Sequence, residues 1–188
     1  MIISLEIEGT YKMKPTTKKE LIEIIRQSIK EKGYKCDLNF IDTSLITDMS
    51  HVFEGSKFNG DISKWNTSNV ENMSFMFYDS KFNGNISNWN VSKVKDMSYM
   101  FGFSVFDRDI SKWDVSNVRN MGYMFCDSNF NKNISEWDVS KVKDMSHMFC
   151  LSQFNQDVSK WDVSSVRDIS YMFFESKFKG DISKWTEI

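Results

Sequence analysis

The chain has 188 residues, a formal net charge of −2, 15 % aromatic residues, 12 Met and a single Pro. That is enough apolar mass for a core, so the composition excludes a disordered chain. Lys and Arg alternate with Asp and Glu, which leaves no basic stripe for nucleic acid and no membrane-binding face, and no apolar run is long enough to span a bilayer.

Ile3, Leu5 and Ile7 alternate with Ser4, Glu6 and Glu8, the period-2 signature of a half-buried strand. Early acidic residues and the lack of a basic lead segment argue against a secretion signal, and point to a cytoplasmic protein, with a surface or secreted location as the alternative. Residues 9–15 read as a connector. A helix comes next, with Thr17 and Glu20 spaced as a capping box, Leu21, Ile22, Ile25 and Ile29 on one face, and Gly33 as the stop. Residues 1–36 are therefore expected to be an N-terminal cap of one strand and one amphipathic helix, closing the apolar end of a repeat array.

From residue 37 to 188 the chain repeats itself. Trp stands at 65, 89, 113, 137, 161 and 185, a step of 24 each time (89 − 65 = 24). A fixed period in this range marks a stacked array in which each unit touches only its neighbours. One unit reads Asp109-Ile-Ser-Lys-Trp-Asp-Val-Ser-Asn-Val-Arg-Asn-Met-Gly-Tyr-Met-Phe125, and Asp37 to Phe53 is a degenerate first copy. The Asp-Ile-Ser-x-Trp stretch suits a brief strand, with copies about 4.8 Å apart in a parallel ladder. Val118, Met121, Met124 and Phe125 fall at helical spacing, and Ser116 or Asn120 suits the cap. Trp, Phe and Met are expected to stack on their own copies as core.

This repeat resembles that of the BspA-type leucine-rich-repeat proteins. The resemblance runs from residue 37 to 185 and implies a solenoid used to bind proteins or host surfaces, with no shared enzymatic site. The expected fold is α/β: a right-handed, leucine-rich-repeat-like solenoid of about six 24-residue coils, each a short strand and a short helix, behind the N-terminal cap.

The residues offer little catalytic chemistry. His51 and His147 share a slot four coils apart, roughly 20 Å at strand spacing, too far for a common metal. The rows Asp114, Asp138 and Asp162 fit turn capping better than calcium, whose solenoid sites use Gly-rich loops. Neither a cofactor nor a catalytic residue is expected. Cys126 and Cys150 share a slot in adjacent coils, within disulfide reach, but an odd total with Cys36 suits reduced thiols.

Binding surfaces are expected in two rows of slots that do not feed the core. One is His51, Phe75, Tyr99, Tyr123, His147 and Tyr171, between the two Met of each unit. The other is the variable pair after the Phe, including Tyr78, Phe103, Leu151 and Phe174. The leading expectation is a non-enzymatic protein-binding scaffold, a partner-binding or inhibitor protein. The alternatives are a surface adhesin of the same repeat type, or an enzyme or ligand binder using Tyr11, Lys12, Lys35 and His51 where cap meets repeats. Trp185, close to the last residue, also suggests end-to-end pairing of two copies.

Overall fold

The structure, a computed structural model, describes residues 3–7 and 10–185, with side chains from Lys12 onward. The expected half-burial of the face carrying Ile3, Leu5 and Ile7 concerns side chains outside the described residues. The segment read as a connector is a strand. β1 (Ile3–Ile7) and β2 (Thr10–Lys14) pair antiparallel, Ile3 opposite Lys14 and Ile7 opposite Thr10. Met13 then makes a parallel bridge to Ile41, through Met13 N–H to Phe40 O (3.1 Å) and Asp42 N–H to Met13 O (2.8 Å). The hairpin is thereby tied to the first repeat. Its second strand carries only a short alternation, Tyr11 and Met13 between Thr10, Lys12 and Lys14, which the reading as a connector passed over.

α1 (Lys18–Lys32) begins at Thr17, whose hydroxyl accepts from Glu20 N–H at 3.2 Å. Glu20 reaches back to Thr16, accepting from its amide (2.8 Å) and hydroxyl (2.9 Å), and the amide bond above all holds the Glu20 carboxyl down at about 2. The helix buries Leu21, Ile24 and Ile25, with Ile22 and Ile29 partly covered, so Ile24 joins the expected face. Gly33 ends it at φ 82°, a value that favours glycine, while its ψ of 174° is not that of a left-handed helical stop. Lys18 Nζ anchors the helix to the first repeat through Asp48 (2.6 Å) and Ser50 (2.8 Å).

From residue 37 onward, equivalent backbone positions of successive repeats are bonded together. Asp48, Asn72, Asp96, Asn120, Asp144 and Asp168 form a chain of single parallel bridges. Among the described residues, the repeats hold neither helix nor extended strand. This corrects the expected strand and helix of each coil. The Ile-to-Trp stretch is a turn, closed by Trp113 N–H to Ile110 O at 3.1 Å. The Val-to-Phe stretch cannot be one helix because Tyr123 within it sits at φ 59°, with Asp127 just beyond at φ 48°, and a left-handed residue stops helix propagation. The periodicity of 3 and 4 that suggests a helix comes from consecutive turns.

Those turns are made by side chains. Asp109, Asp114 and Asn120 each accept the amide two residues ahead, at 2.9, 3.1 and 3.0 Å, and Ser128 Oγ accepts from Phe130 N–H at 3.2 Å. Such short acceptors offer the backbone partners that neither helix nor sheet requires. Asn120, expected as a helix cap, therefore caps a turn.

Between coils, every second amide reaches forward. Met121, Tyr123, Phe125 and Asp127 donate to the carbonyls of Asp144, Ser146, Met148 and Cys150 at 2.9, 2.9, 2.9 and 2.7 Å. Each of Trp65, Trp89, Trp113, Trp137 and Trp161 donates its indole Nε1 backward to the carbonyl 27 residues before it, at 3.0–3.3 Å. A polar ladder runs beside the core. Asn83, Asp107, Asn131, Asn155 and Lys179 each donate their amide to the side-chain oxygen of residue 59, 83, 107, 131 or 155, at 2.9–3.0 Å.

The core is a set of rings in file. Phe53, Phe77, Phe101, Phe125, Phe149 and Phe173 stack with centroids 5.5–5.7 Å apart, and a second file runs from Phe58 to Phe178 at 6.1–6.4 Å. Trp65 lies 6.3 Å from Trp89, and Trp161 the same distance from Trp185. Met97, Met100, Met121 and Met124 are fully buried among them. Parallel, offset rings of this kind add about 0.5–1.5 kcal/mol per pair to the area they bury.

Candidate functional site

The face with the most unusual backbone is formed by the two rows that the sequence singles out. His51, Phe75, Tyr99, Tyr123, His147 and Tyr171 all have φ between 55° and 62°. So do the residues four positions on, Gly55, Asp79, Phe103, Asp127, Leu151 and Glu175, at φ 48° to 62°. Only one of these twelve is glycine. A bulky L residue in this region costs on the order of 1 kcal/mol, and strained positions persist where the surrounding structure holds them.

The left-handed turn throws the first row of rings into a single stack. Successive centroids lie 4.8, 4.4, 4.4, 4.3 and 5.0 Å apart, with planes within 25° of parallel. This is tighter than either phenylalanine file. The middle rings are half-buried, because each face is covered by its neighbours and only the edges meet solvent. The outer ends are open: His51 is exposed and Tyr171 is 62 % exposed. Burial and the neighbouring Tyr123 push the Tyr99 hydroxyl up to about 12, so it remains a neutral donor. His51 Nδ1 meets Glu54 at 2.7 Å, whereas His147 Nδ1 is buried with no partner among the described residues.

The second row flanks the stack. Tyr78 lies edge-on to Tyr99 (6.0 Å) and to Phe103 (5.4 Å), and it covers Gly102. A Cβ on Gly102 would come within 3.3 Å of that ring, so glycine makes room for Tyr78 there. Phe174 stands edge-on to Tyr171 at 5.7 Å. Phe103, Leu151 and Phe174 are 40–48 % exposed. Thus Phe75, Tyr99, Tyr123, His147 and Tyr171 form one ladder, with Tyr78 and Phe103 beside one stretch and Leu151 and Phe174 beside another. Between the two lie Cys126 and Cys150, both buried and both free thiols, with Cys126 pushed up to about 12 by burial and by its Cys150 neighbour.

The junction of cap and repeats holds a groove of about 720 Å³ between α1 and the first coil, lined by Ile22, Ile29, Tyr34, His51, Phe53 and Lys57 among others. Of the three residues expected to gather at that junction whose side chains are described, Lys12, Lys35 and His51, His51 alone lines this groove. Lys12 lines a separate cavity with Asp37, Asn39 and Lys64, Lys35 lines neither, and the Tyr11 side chain lies outside the described residues. Arg26, Lys30 and Tyr34 also line this groove, and the sequence reading missed them. Helical spacing turns Arg26 and Lys30 to water, and nothing in the repeat pattern locates the helix over the first coil. Among the described residues, no group of three or more His, Cys, Asp or Glu could hold a metal ion, and no helix is long and apolar enough to cross a membrane.

The repeat recurs beyond this chain. The profile of a repeat family described as "Mycoplasma protein of unknown function, DUF285" matches residues 24–129 and again 102–187, two overlapping registers that together take in the latter part of α1 and the repeats. Comparison with curated proteins and with solved structures gives no match. With both matched stretches spanning most of its length, the chain belongs to this DUF285 family of repeat proteins, whose description leaves function open.

Proposed function

We propose that this chain is a non-enzymatic protein-binding scaffold, built as a right-handed solenoid related to the BspA-type leucine-rich repeats. Its binding face is the edge of the ring ladder together with Tyr78, Phe103, Leu151 and Phe174. The observation that carries the reading is the retention of large apolar and aromatic side chains at left-handed positions where Gly55 shows that glycine also serves. A slot held at a conformational cost, with its side chain partly in solvent, fits a surface selected for contact. Aromatic side chains are also those enriched at the centres of interfaces.

The test is affinity capture, then a binding titration of whatever is captured. Wild type is compared with Phe103→Ser plus Leu151→Ser, which spares the stacked rings, and with Tyr99→Ala plus Tyr123→Ala, which breaks them. Loss of two apolar anchors should weaken binding about tenfold or more. Equal binding by wild type and by both folded double variants refutes the face.

A further inference from the structure

The groove between α1 and the first coil has a floor and a rim of different chemistry. Ile22 and Ile29 of the helix and Val52 and Phe53 of the coil give it an apolar floor, with Val52 and Phe53 buried and the two Ile partly covered. Arg26, Lys30 and Lys57 stand exposed at its rim, and none of the three enters an ion pair among the described residues. Glu54 is the one carboxylate among the described lining residues, and it is already engaged by His51 Nδ1 at 2.7 Å. At about 720 Å³ the groove falls within the range of ordinary ligand clefts, about 300–1,000 Å³.

Two features of the first coil keep this groove open. The slot of Gly55 carries Asp79, Phe103, Asp127, Leu151 and Glu175 in the later coils, all at φ 48° to 58°, so the backbone there does not demand glycine. A Cβ on Gly55 would meet nothing within 4 Å, so packing does not demand it either. Glycine here leaves the wall of the groove without a side chain. The second feature is His51. Each ladder ring from Phe75 to His147 has a ring on both faces, at 4.3–5.0 Å, whereas His51 has Phe75 on one face and no ring on the other among the described residues. Phe75 of the next coil takes one side, so the uncovered face of the imidazole is turned toward α1 and the groove.

An occupant has to match an apolar floor, a stacking face beside it, and a rim of three cations against one engaged carboxylate. We infer that the groove is a docking site for a short acidic segment of a partner protein, whose single aromatic side chain stacks on His51 against the apolar floor while carboxylates on either side of it meet Arg26, Lys30 and Lys57. Arg binds a carboxylate through two parallel N–H bonds and Lys as a point charge, so the rim supplies both fixed geometry and general attraction. An aromatic anchor seated among apolar side chains is the usual centre of such a contact. A nucleic-acid strand also combines stacking with cations, but its phosphates have no use for the aliphatic floor and are repelled by Glu54. The inference stands apart from the ring-edge face: it uses the open face of His51 and none of Tyr78, Phe103, Leu151 or Phe174.

The probe is a fluorescein-labelled, end-capped peptide, Glu-Asp-Phe-Asp-Glu, titrated into the full chain and followed by fluorescence anisotropy beside a twin with Ala in place of Phe. Saturable binding is expected below about 1 mM, about tenfold weaker for the twin, and weakening as added salt screens the rim. Arg26→Glu plus Lys30→Glu, at exposed helix positions, should weaken binding about tenfold or more, whereas Lys112→Glu plus Lys179→Glu makes the same charge change away from the groove and should not. Gly55→Leu puts into the groove wall a side chain that the same slot carries at Leu151, and should weaken binding about tenfold with an unchanged circular dichroism spectrum. Phe103→Ser plus Leu151→Ser should bind the peptide as wild type does, which separates this site from the ring-edge face. Five results overturn the inference: no saturable binding below about 1 mM, equal binding of the Ala twin, equal loss in the two charge-reversal variants, undiminished binding by Gly55→Leu, or displacement of the peptide by oligothymidylate as readily as by unlabelled peptide.

Discussion

Replacing Phe125 by Ala removes a ring that is fully buried and touched from both neighbouring coils. It stacks on Phe101 at 5.7 Å and Phe149 at 5.6 Å, and lies 4.1 Å from Phe130 and 6.4 Å from Trp137. Truncation of a buried Phe costs about 3–5 kcal/mol, and the upper part of that range holds where the surroundings cannot close over the cavity. Here they cannot: the Phe101, Phe125 and Phe149 amides fix the coil spacing through 2.8–2.9 Å bonds to the next coil. A loss of about 4–5 kcal/mol is therefore expected. Phe173→Ala is the internal control. Phe173 is only partly buried and has stacked neighbours on one side, Phe149 at 5.6 Å, besides Phe178 and Trp185 of its own coil. Its loss should cost about 2 kcal/mol. Equilibrium urea unfolding followed by circular dichroism gives both values, with native-state hydrogen exchange to localise the change. A cost for Phe173→Ala equal to or above that for Phe125→Ala would refute the idea that stability resides in two-sided stacking.

Asn131→Leu strips the acceptor used by Asn155 N–H and Gln156 Nε2 and should cost about 1–3 kcal/mol in the same urea assay, whereas Asn131→Asp should be near neutral because Asp107 performs the task one coil earlier. Asp61, Asp109, Asp138, Asp157, Asp162, Asp168 and Asp181 are all held below the usual carboxylate range by the Ser amide and hydroxyl two residues ahead. A depressed folded pKa gives stability that is complete above the unfolded value of about 3.9 and fades as pH falls below it, so the melting temperature should be level above about pH 5 and drop towards pH 2. Asp138→Asn should leave the turn intact, as Asn66 and Asn90 do in the same slot, and flatten part of that drop. Glu175→Gly, at φ 51° on an exposed position, should raise stability by about 0.5–1 kcal/mol in thermal unfolding, and a destabilisation would show that the left-handed turn is not strained.

The parts of this molecule that a reader of the sequence can see are those where one slot meets one environment. Phe125 or Met121 recurs every 24 residues because each copy faces the same copies above and below, so the period and the inward residues emerge directly. Thr17 and Glu20 announce the helix through local chemistry alone. The conformation within a coil is hidden for a specific reason. Spacings of 3 and 4 arise from helices and equally from consecutive turns, and nine of the twelve left-handed slots carry Tyr, His, Phe, Leu or Glu, with only Gly55, Asp79 and Asp127 of a type that hints at this region. One clue is present: each coil is crowded with Asp, Asn and Ser, which favour turns, and holds no Ala. The Asn59-to-Asn155 ladder is legible in the same way, as a recurring Asn directly after the Phe, though its partner amide in the next coil is not. The ring ladder is legible as a row, whereas its half-burial is not, because the left-handed turn that brings the rings face to face leaves no trace in residue type.

The forward-pointing amide rows have a mechanical consequence. Each coil is fastened to the next by separate short rows of bonds, so tension on the two ends is carried in series through every row, and a coil at an end, held by a neighbour on one side only, gives way first. Under force the protein should lengthen by the release of single coils, each step setting free 24 residues, or about 80 Å of contour at roughly 3.3–3.6 Å per residue. An object that gives way in equal small increments is a ratcheted spring, compliant at low load and slow to fail as a whole.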